Sequence, residues 1–194
     1  MKAASFAASV RSWLLSRYAQ WAALLWGFAE GTLFFLVPDI FLTATALFSV
    51  RRSLLQMGAV VVGSLAAGAL MFGIAANNPA AARNAMLQVP FIGQPMLDKV
   101  DRDFQNAGVW ALCKGPLSGV PYKVYAVKAP PYCPWWLFLL VSIPARLERL
   151  VITWVMFSCV GILLRKNGWF QPIHALAGHA LYWIGIYTYY WSVI

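Results

Sequence analysis

The sequence predicts an all-α integral membrane protein. Two opposed re-entrant broken-helix segments form an inverted repeat, joined by transmembrane helices and preceded by an interfacial helix. Three observations predict this. Of the 194 residues, 61% are hydrophobic and 11% charged, against about 45–50% and about 25% in a soluble domain. The apolar residues come in runs near the length, about 20 residues, that a helix needs to cross a bilayer. Two of those runs are broken by prolines and carry ionisable side chains, which a lipid-facing helix does not tolerate.

The net charge is +9. In a soluble protein that would suggest nucleic acid. Here the bases flank apolar runs, so they read as topology, and no nucleic-acid partner is expected. Cys113, Cys133 and Cys159 follow no metal or disulfide spacing. No cofactor or metal site is expected. Residues 1–17 do not read as a signal peptide, because Arg11 and Arg17 interrupt the apolar stretch. They read as an interfacial helix, with Phe6, Val10 and Trp13 at helical spacing and a stripe of serines beside them.

Residues 18–50 form the first broken segment. Glu30 and the pair Pro38-Asp39 interrupt it; proline lacks the donor that a continuous helix needs, and each carboxylate costs roughly 2.5 kcal/mol or more at the bilayer centre. Residues 53–76 carry no charge and are long enough to span. Ala59, Gly63 and Ala67 recur every four residues, with Ser64 and Gly68 on the adjacent face, a seam that lets a second helix approach closely. Residues 77–106 change character: a turn at Asn77-Asn78-Pro79, then balanced charges, read as a polar segment outside the hydrocarbon.

Residues 107–134 are the second broken segment, with Lys114, Pro116, Gly119, Pro121 and Lys123. Pro38, Pro116 and Pro121 are the expected breakers. Pro144 permits a helix start, so residues 145–164 read as a span with Arg146, Glu148 and Arg149 in its first turns. Residues 170–193 read as a last span. Its Tyr182, Trp183, Tyr187, Tyr189, Tyr190 and Trp191 read as an interfacial belt. His174 and His179, five apart, fall on different faces and read as non-ligands.

Lys2, Arg11, Arg17, Arg51, Arg52, Arg165 and Lys166 satisfy the positive-inside rule if all lie in the cytoplasm. That places the N-terminus inside and requires residues 18–50 to leave on the side they enter. Each half then has a broken segment followed by a long helix, entering from opposite sides, which is a transporter architecture.

Over residues 21–165 the chain resembles the DedA family, also called the VTT or SNARE-associated Golgi protein family. The likeness rests on Glu30 ahead of Pro38-Asp39, the small-residue helix "GSLAAGALMFG" from Gly63 to Gly73, the basic, Pro-containing "KGPLSGVPYKVYAVKA" from Lys114 to Ala129, and Trp154 with Gly161. Where the family's second loop carries arginines, this chain has Lys114 and Lys123, and lysine is the poorer bidentate partner of phosphate.

The resemblance implies lipid translocation, with no enzymatic activity, in a bacterial inner membrane: the partners are membrane lipids carrying a polyprenyl phosphate or phospholipid headgroup, and protons. A homo-oligomer is compatible with it. Lys114, Lys123, Arg146 and Arg149 are the candidates to bind the headgroup phosphate, and Glu30 and Asp39 to carry a coupling proton. Internal salt bridges that merely hold the loops are the competing reading of these residues. A small-ion or metal permease and a structural membrane subunit remain open. A lipid phosphatase is disfavoured, since both histidines lie far from the basic cluster.

Overall fold

The computed structural model describes residues 2–193, without the side chains of residues 2, 3, 116, 117, 190, 191 and 193. The expected topogenic side chain of Lys2 and the belt side chains of Tyr190 and Trp191 therefore lie outside the described set. The described chain is helical, with no strand. Its helices are α1 (Lys2–Leu14), α2 (Tyr18–Thr32), α3 (Asp39–Phe48), α4 (Val50–Asn77), α5 (Pro79–Leu87), α6 (Gln94–Ala107), α7 (Gly115–Ser118), α8 (Tyr122–Lys128), α9 (Trp135–Lys166) and α10 (Pro172–Val193), with a 3-10 turn over Gly108–Lys114 ahead of α7. Two of them, α4 and α9, are long and apolar enough to cross a membrane.

Local chemistry sets most boundaries. Ser49 starts α4 by accepting from the Arg52 amide at 3.3 Å, and Asn78 starts α5 by accepting from the Ala81 amide at 3.0 Å, satisfying donors that the first turn leaves free. Pro38 stands immediately before α3 and Pro121 immediately before α8, where a missing amide hydrogen costs nothing. Pro116 is a correction. It sits in the first turn of α7, a position that tolerates proline, and the break after α7 is made by Gly119, at φ +75°, a conformation that favours glycine.

A second correction concerns α9. It begins at Trp135 and runs unbroken through Pro144, so Pro144 does not start it. Phe138, Val141, Ser142 and Ala145 recur at helical spacing and are buried. Phe138 packs on Phe72 and Tyr122 with ring centroids 5.3 and 5.8 Å apart. That packed face holds the helix across the one hydrogen bond that Pro144 cannot make.

The direction of the helices follows from their contacts. On α2 and α4, Gly27 meets Val60, and Gly31, one turn on, meets Ser64 and Ala67, so the two run side by side in the same direction. The chain must return between them, and α3 brings it back: the Leu14 carbonyl, just before α2, accepts from Gln56 Nε2, one turn into α4, at 2.8 Å. Residues 18–50 thus form a hairpin that ends where it began. On α4 and α9, Ser53 meets Trp154, Ser64 meets Arg146 and Phe72 meets Phe138, so these long helices are antiparallel over nearly their whole length. The 3-10 turn, α7 and α8 form a shorter hairpin at the other end of the α4–α9 pair, its Tyr122 hydroxyl donating to Ser142 at 2.9 Å.

Apolar packing is divided into two clusters. One gathers Met71, Phe72 and Ala75 of α4 with α5, α6, α8 and the first half of α9. The other gathers Met57, Val60 and Val61 of α4 with α2, α3, Leu150 and Phe157. The middle of α4 and of α9 lies between them. The amphipathic α6 closes the first cluster with Leu97, Val100 and Phe104 buried, while Lys99 pairs with Asp103 at 2.9 Å on its outer side. Partial burial works against the Asp103 carboxylate. Hydrogen bonds from Lys99 and Tyr125 and the charges of Lys99 and Lys114 outweigh that and hold it below the usual range.

Two predictions follow from this packing. A Cβ on Gly63 would stand 2.1 Å from the Leu24 carbonyl oxygen, whereas one on Gly58 meets nothing within 4 Å. Gly63→Ala should destabilise by about 1–3 kcal/mol, the usual cost of overpacking, and Gly58→Ala should stay within about 0.5 kcal/mol, as read by thermal unfolding in detergent. For Asp103, the folded carboxyl ionises at lower pH than the unfolded one, near about 3.9. Its stabilisation is therefore complete above that value and lost as pH falls through the folded one. The stability gap between wild type and Asp103→Asn should be constant from neutral pH down to about pH 5 and close below about pH 4.

Candidate functional site

Between the two apolar clusters lies a layer of charge. Arg146 is the centre of it: one guanidinium nitrogen, Nη2, donates to Glu30 Oε2 at 2.6 Å and to Ser64 Oγ at 3.1 Å, and the group stands 5.1 Å from the centre of the Tyr122 ring. Both partners of the ion pair are about 95% buried, with side-chain exposures of 5% and 6%. Ser64 stands at the midpoint of the 28-residue α4, so this pair lies about 20 Å from either helix end at 1.5 Å per residue. It is positioned by close approach. Gly27 and Gly31 bring α2 against α4, where any Cβ would clash, and Glu30 rides on that contact.

A second pair lies one turn along α9. Arg149 Nη2 donates to Asp39 Oδ2 at 3.0 Å, and Thr153 Oγ1 donates to Asp39 Oδ1 at 2.9 Å. The Asp39 side chain is 1% exposed, that of Arg149 29%. Asp39 opens α3, where the helix dipole favours a negative charge. The Nε atoms of Arg146 and Arg149 are buried with no acceptor.

Lys123 is the third base, 2% exposed. Its ammonium donates to the backbone carbonyls of Glu30 at 2.9 Å and Phe34 at 2.6 Å. These are carbonyls at the end of α2, so Lys123 caps that helix from the other hairpin and complements its dipole. The tips of the two hairpins are joined by this contact. Three bases face two carboxylates, which leaves one positive charge over.

These groups open onto a cavity of about 410 Å³ lined by Glu30, Asp39, Lys123, Arg149 and Thr153, and otherwise mostly by apolar and aromatic side chains. Its outer wall is α10, through Tyr182, Trp183, Ile186 and Tyr187. The sequence reading placed Tyr182, Trp183 and Tyr187 in an interfacial belt; instead they face the charged layer, and Trp183 is buried. Three hydrogen bonds tie α10 to the first hairpin. Tyr187 Oη accepts from the Val37 amide at 2.9 Å, Trp183 Nε1 donates to Thr43 Oγ1 at 3.1 Å, and His179 Nε2 lies 2.9 Å from the same hydroxyl. Thr43 donates to the Asp39 carbonyl at 2.6 Å.

Of the expected site residues, Glu30, Asp39, Lys123, Arg146 and Arg149 converge. Lys114 does not. It is exposed at the end of the 3-10 turn, outside the cavity lining, and its charge is felt at Asp103. Ser64, Tyr122, Thr153, His179 and Tyr187 belong to the site and were not singled out for it from the sequence. Small hydroxyl and aromatic residues in apolar helices carry no signal of their own until a neighbour is known. Among the described residues no group of three or more His, Cys, Asp or Glu is placed to hold a metal ion.

Comparison with models of known protein families, with curated proteins and with solved structures returns no match to this chain.

Removing one partner of a buried ion pair strands the other charge, at about 3–5 kcal/mol. Arg146→Ala and Glu30→Ala should each destabilise the protein by that order, and the double substitution by clearly less than their sum. Arg149→Ala should cost less than Arg146→Ala, because Arg149 is partly exposed. Denaturation of the purified protein in detergent checks the ranking.

Proposed function

We propose that this chain is an integral membrane protein that moves phosphate-bearing lipid headgroups, polyprenyl phosphate or phospholipid, across the bilayer through the cavity between its hairpin tips. It is not an enzyme on this reading, and it belongs with the DedA-like proteins it resembles. One observation carries the proposal: five ionisable side chains, with one positive charge to spare, are gathered beside a cavity halfway along two helices of membrane-crossing length. Charge at that depth is expensive and marks a path for a polar solute. The surplus charge favours an anion, and the apolar and aromatic lining suits the first carbons of a lipid tail.

On this reading the two hairpins are re-entrant loops that enter from opposite faces, and the halves form an inverted repeat. Arg11, Arg17, Arg51, Arg52, Arg165 and Lys166 lie in the cytoplasm, in a bacterial inner membrane, with α5 and α6 outside. Lys123 and Arg149, which line the cavity, meet the phosphate; Glu30 and Asp39 are the carboxylates available to a coupling proton. A permease for small cations is disfavoured by the same charge count, because each carboxylate already faces an arginine. The two pairs also hold the tips together, so the structural and transporting readings share them, and a functional assay separates the two.

Two measurements test this. In proteoliposomes, Arg149→Gln should lower the rate of headgroup translocation at least about tenfold, the order of one lost charge-assisted hydrogen bond, with insertion unchanged. Normal transport by that variant refutes the proposed path. For topology, a cysteine in place of the exposed Arg52, after Cys159→Ala, should react with an impermeant maleimide only from the cytoplasmic side, and one in place of Asn78 only from the outside. Labelling of position 52 only from the outside would refute the hairpin as a re-entrant loop.

A further inference from the structure

Resting on the reading that a lipid phosphate enters the cavity, we propose that the Asp39–Arg149 pair is exchanged on binding. The phosphate takes Arg149, Asp39 takes a proton, and the Glu30–Arg146 pair stays closed. The substrate class this favours is a phosphate monoester.

The two ion pairs differ in a way that assigns these parts. Arg146 is 95% buried, held by Glu30, Ser64 and the Tyr122 ring, and is absent from the lining of the large cavity. A phosphate in that cavity cannot displace Glu30 from it without dismantling the contact between α2, α4 and α9. Arg149 lines the cavity and is 29% exposed, so it has a face open to an anion. Lys123 lines the cavity too, but two of its three ammonium hydrogens are held by carbonyls at and just past the end of α2.

Asp39 is built for both protonation states. As a carboxylate it accepts from Arg149 and from the Thr153 hydroxyl. That hydroxyl also lies 3.1 Å from the Arg149 carbonyl and 3.2 Å from the Leu150 carbonyl of its own helix. Once Asp39 is protonated, Thr153 can turn its hydrogen to either carbonyl and accept the new Asp39 O–H. Among the described residues no hydroxyl donates to the Glu30 carboxylate, whose side-chain partner is Arg146.

The charged and titratable groups around Asp39 are Glu30 from α2, Lys123 from α8, Arg146 and Arg149 from α9, and Tyr187 from α10, with His179 of α10 one turn along at Thr43. Lys123, Arg146 and Arg149 against Glu30 and Asp39 leave one positive charge. A monoester dianion would bring the site to one negative charge in a setting that penalises any net charge. A proton moving from solvent to the Asp39 carboxylate restores neutrality, and no covalent bond is made or broken. A diester, with a single negative charge, reaches neutrality without a proton.

Isothermal titration calorimetry in two buffers of different ionisation enthalpy counts protons directly. It is run on the detergent-purified protein at pH 7, where a monoester is mostly a dianion since its second pKa is about 6. Dodecyl phosphate below its micelle concentration should bind wild type with uptake of about one proton, the value that charge neutrality requires. A short-chain phosphatidylglycerol should bind with none. Asp39→Asn should still bind dodecyl phosphate, with uptake reduced to near zero. If Asp39→Asn does not fold, Thr153→Val, nearly isosteric, should weaken dodecyl phosphate binding about tenfold, and Thr153→Ser should restore it. Proton-free monoester binding by wild type, undiminished uptake in Asp39→Asn, full affinity in Thr153→Val, or equal uptake with the diester overturns the exchange. Wild type that binds neither lipid refutes the headgroup reading itself.

Discussion

The fold depends on the Glu30–Arg146 ion pair at the middle of the helix bundle. Two charges out of water cost several kcal/mol each unless geometry and further hydrogen bonds compensate. Here the contact is short, Ser64 takes a second guanidinium bond and Tyr122 supplies a ring face. Those three partners come from α2, α4 and α8, and Arg146 comes from α9. One side chain therefore fixes four helices in register. The apolar packing respects it: one cluster ends above this level and the other begins below it.

Around that pair the site is arranged by rank. Lys123 reaches from the second hairpin to cap the last turn of the first, so the two tips are joined by hydrogen bonds to backbone as well as by charge. The Asp39–Arg149 pair sits further out, on the cavity, with one member open to it. Last comes α10, held to the first hairpin through Tyr187, Trp183 and His179. It packs mainly against α1 and α3 and leaves Leu181, Ile184 and Tyr189 exposed. The least-anchored helix is thus the one that walls the cavity on its outer side.

The two ion pairs also differ in how far they can change without disturbing the fold. Arg146 lines no part of the large cavity, so loss of its pair with Glu30 is felt first in folding. Asp39 has two hydrogen-bonding arrangements within reach of Thr153, and such a group changes state without rebuilding its surroundings. Lys123 fits this division: it binds carbonyl oxygens, for which a point charge with three rotatable donors is sufficient.

Much of this was legible in the sequence. A charge-free apolar run marks α4, and the apolar run that follows Arg149 marks the second half of α9, because only a helix satisfies its own backbone over such a length. Glu30 and Pro38-Asp39 mark a broken hairpin, because neither belongs in a straight lipid-facing helix. The Gly63–Ala67 seam marks a close contact, which α2 supplies. What only the tertiary structure decided was pairing and rank. Nothing in the spacing tells which arginine meets which carboxylate, that Lys123 caps a helix 89 residues away, or that Lys114 points elsewhere. Pro144 and the aromatic residues of α10 were misread for the same reason. A proline in a helix and a tyrosine near its end take their meaning from what packs against them, and that is set by neighbours distant in the chain.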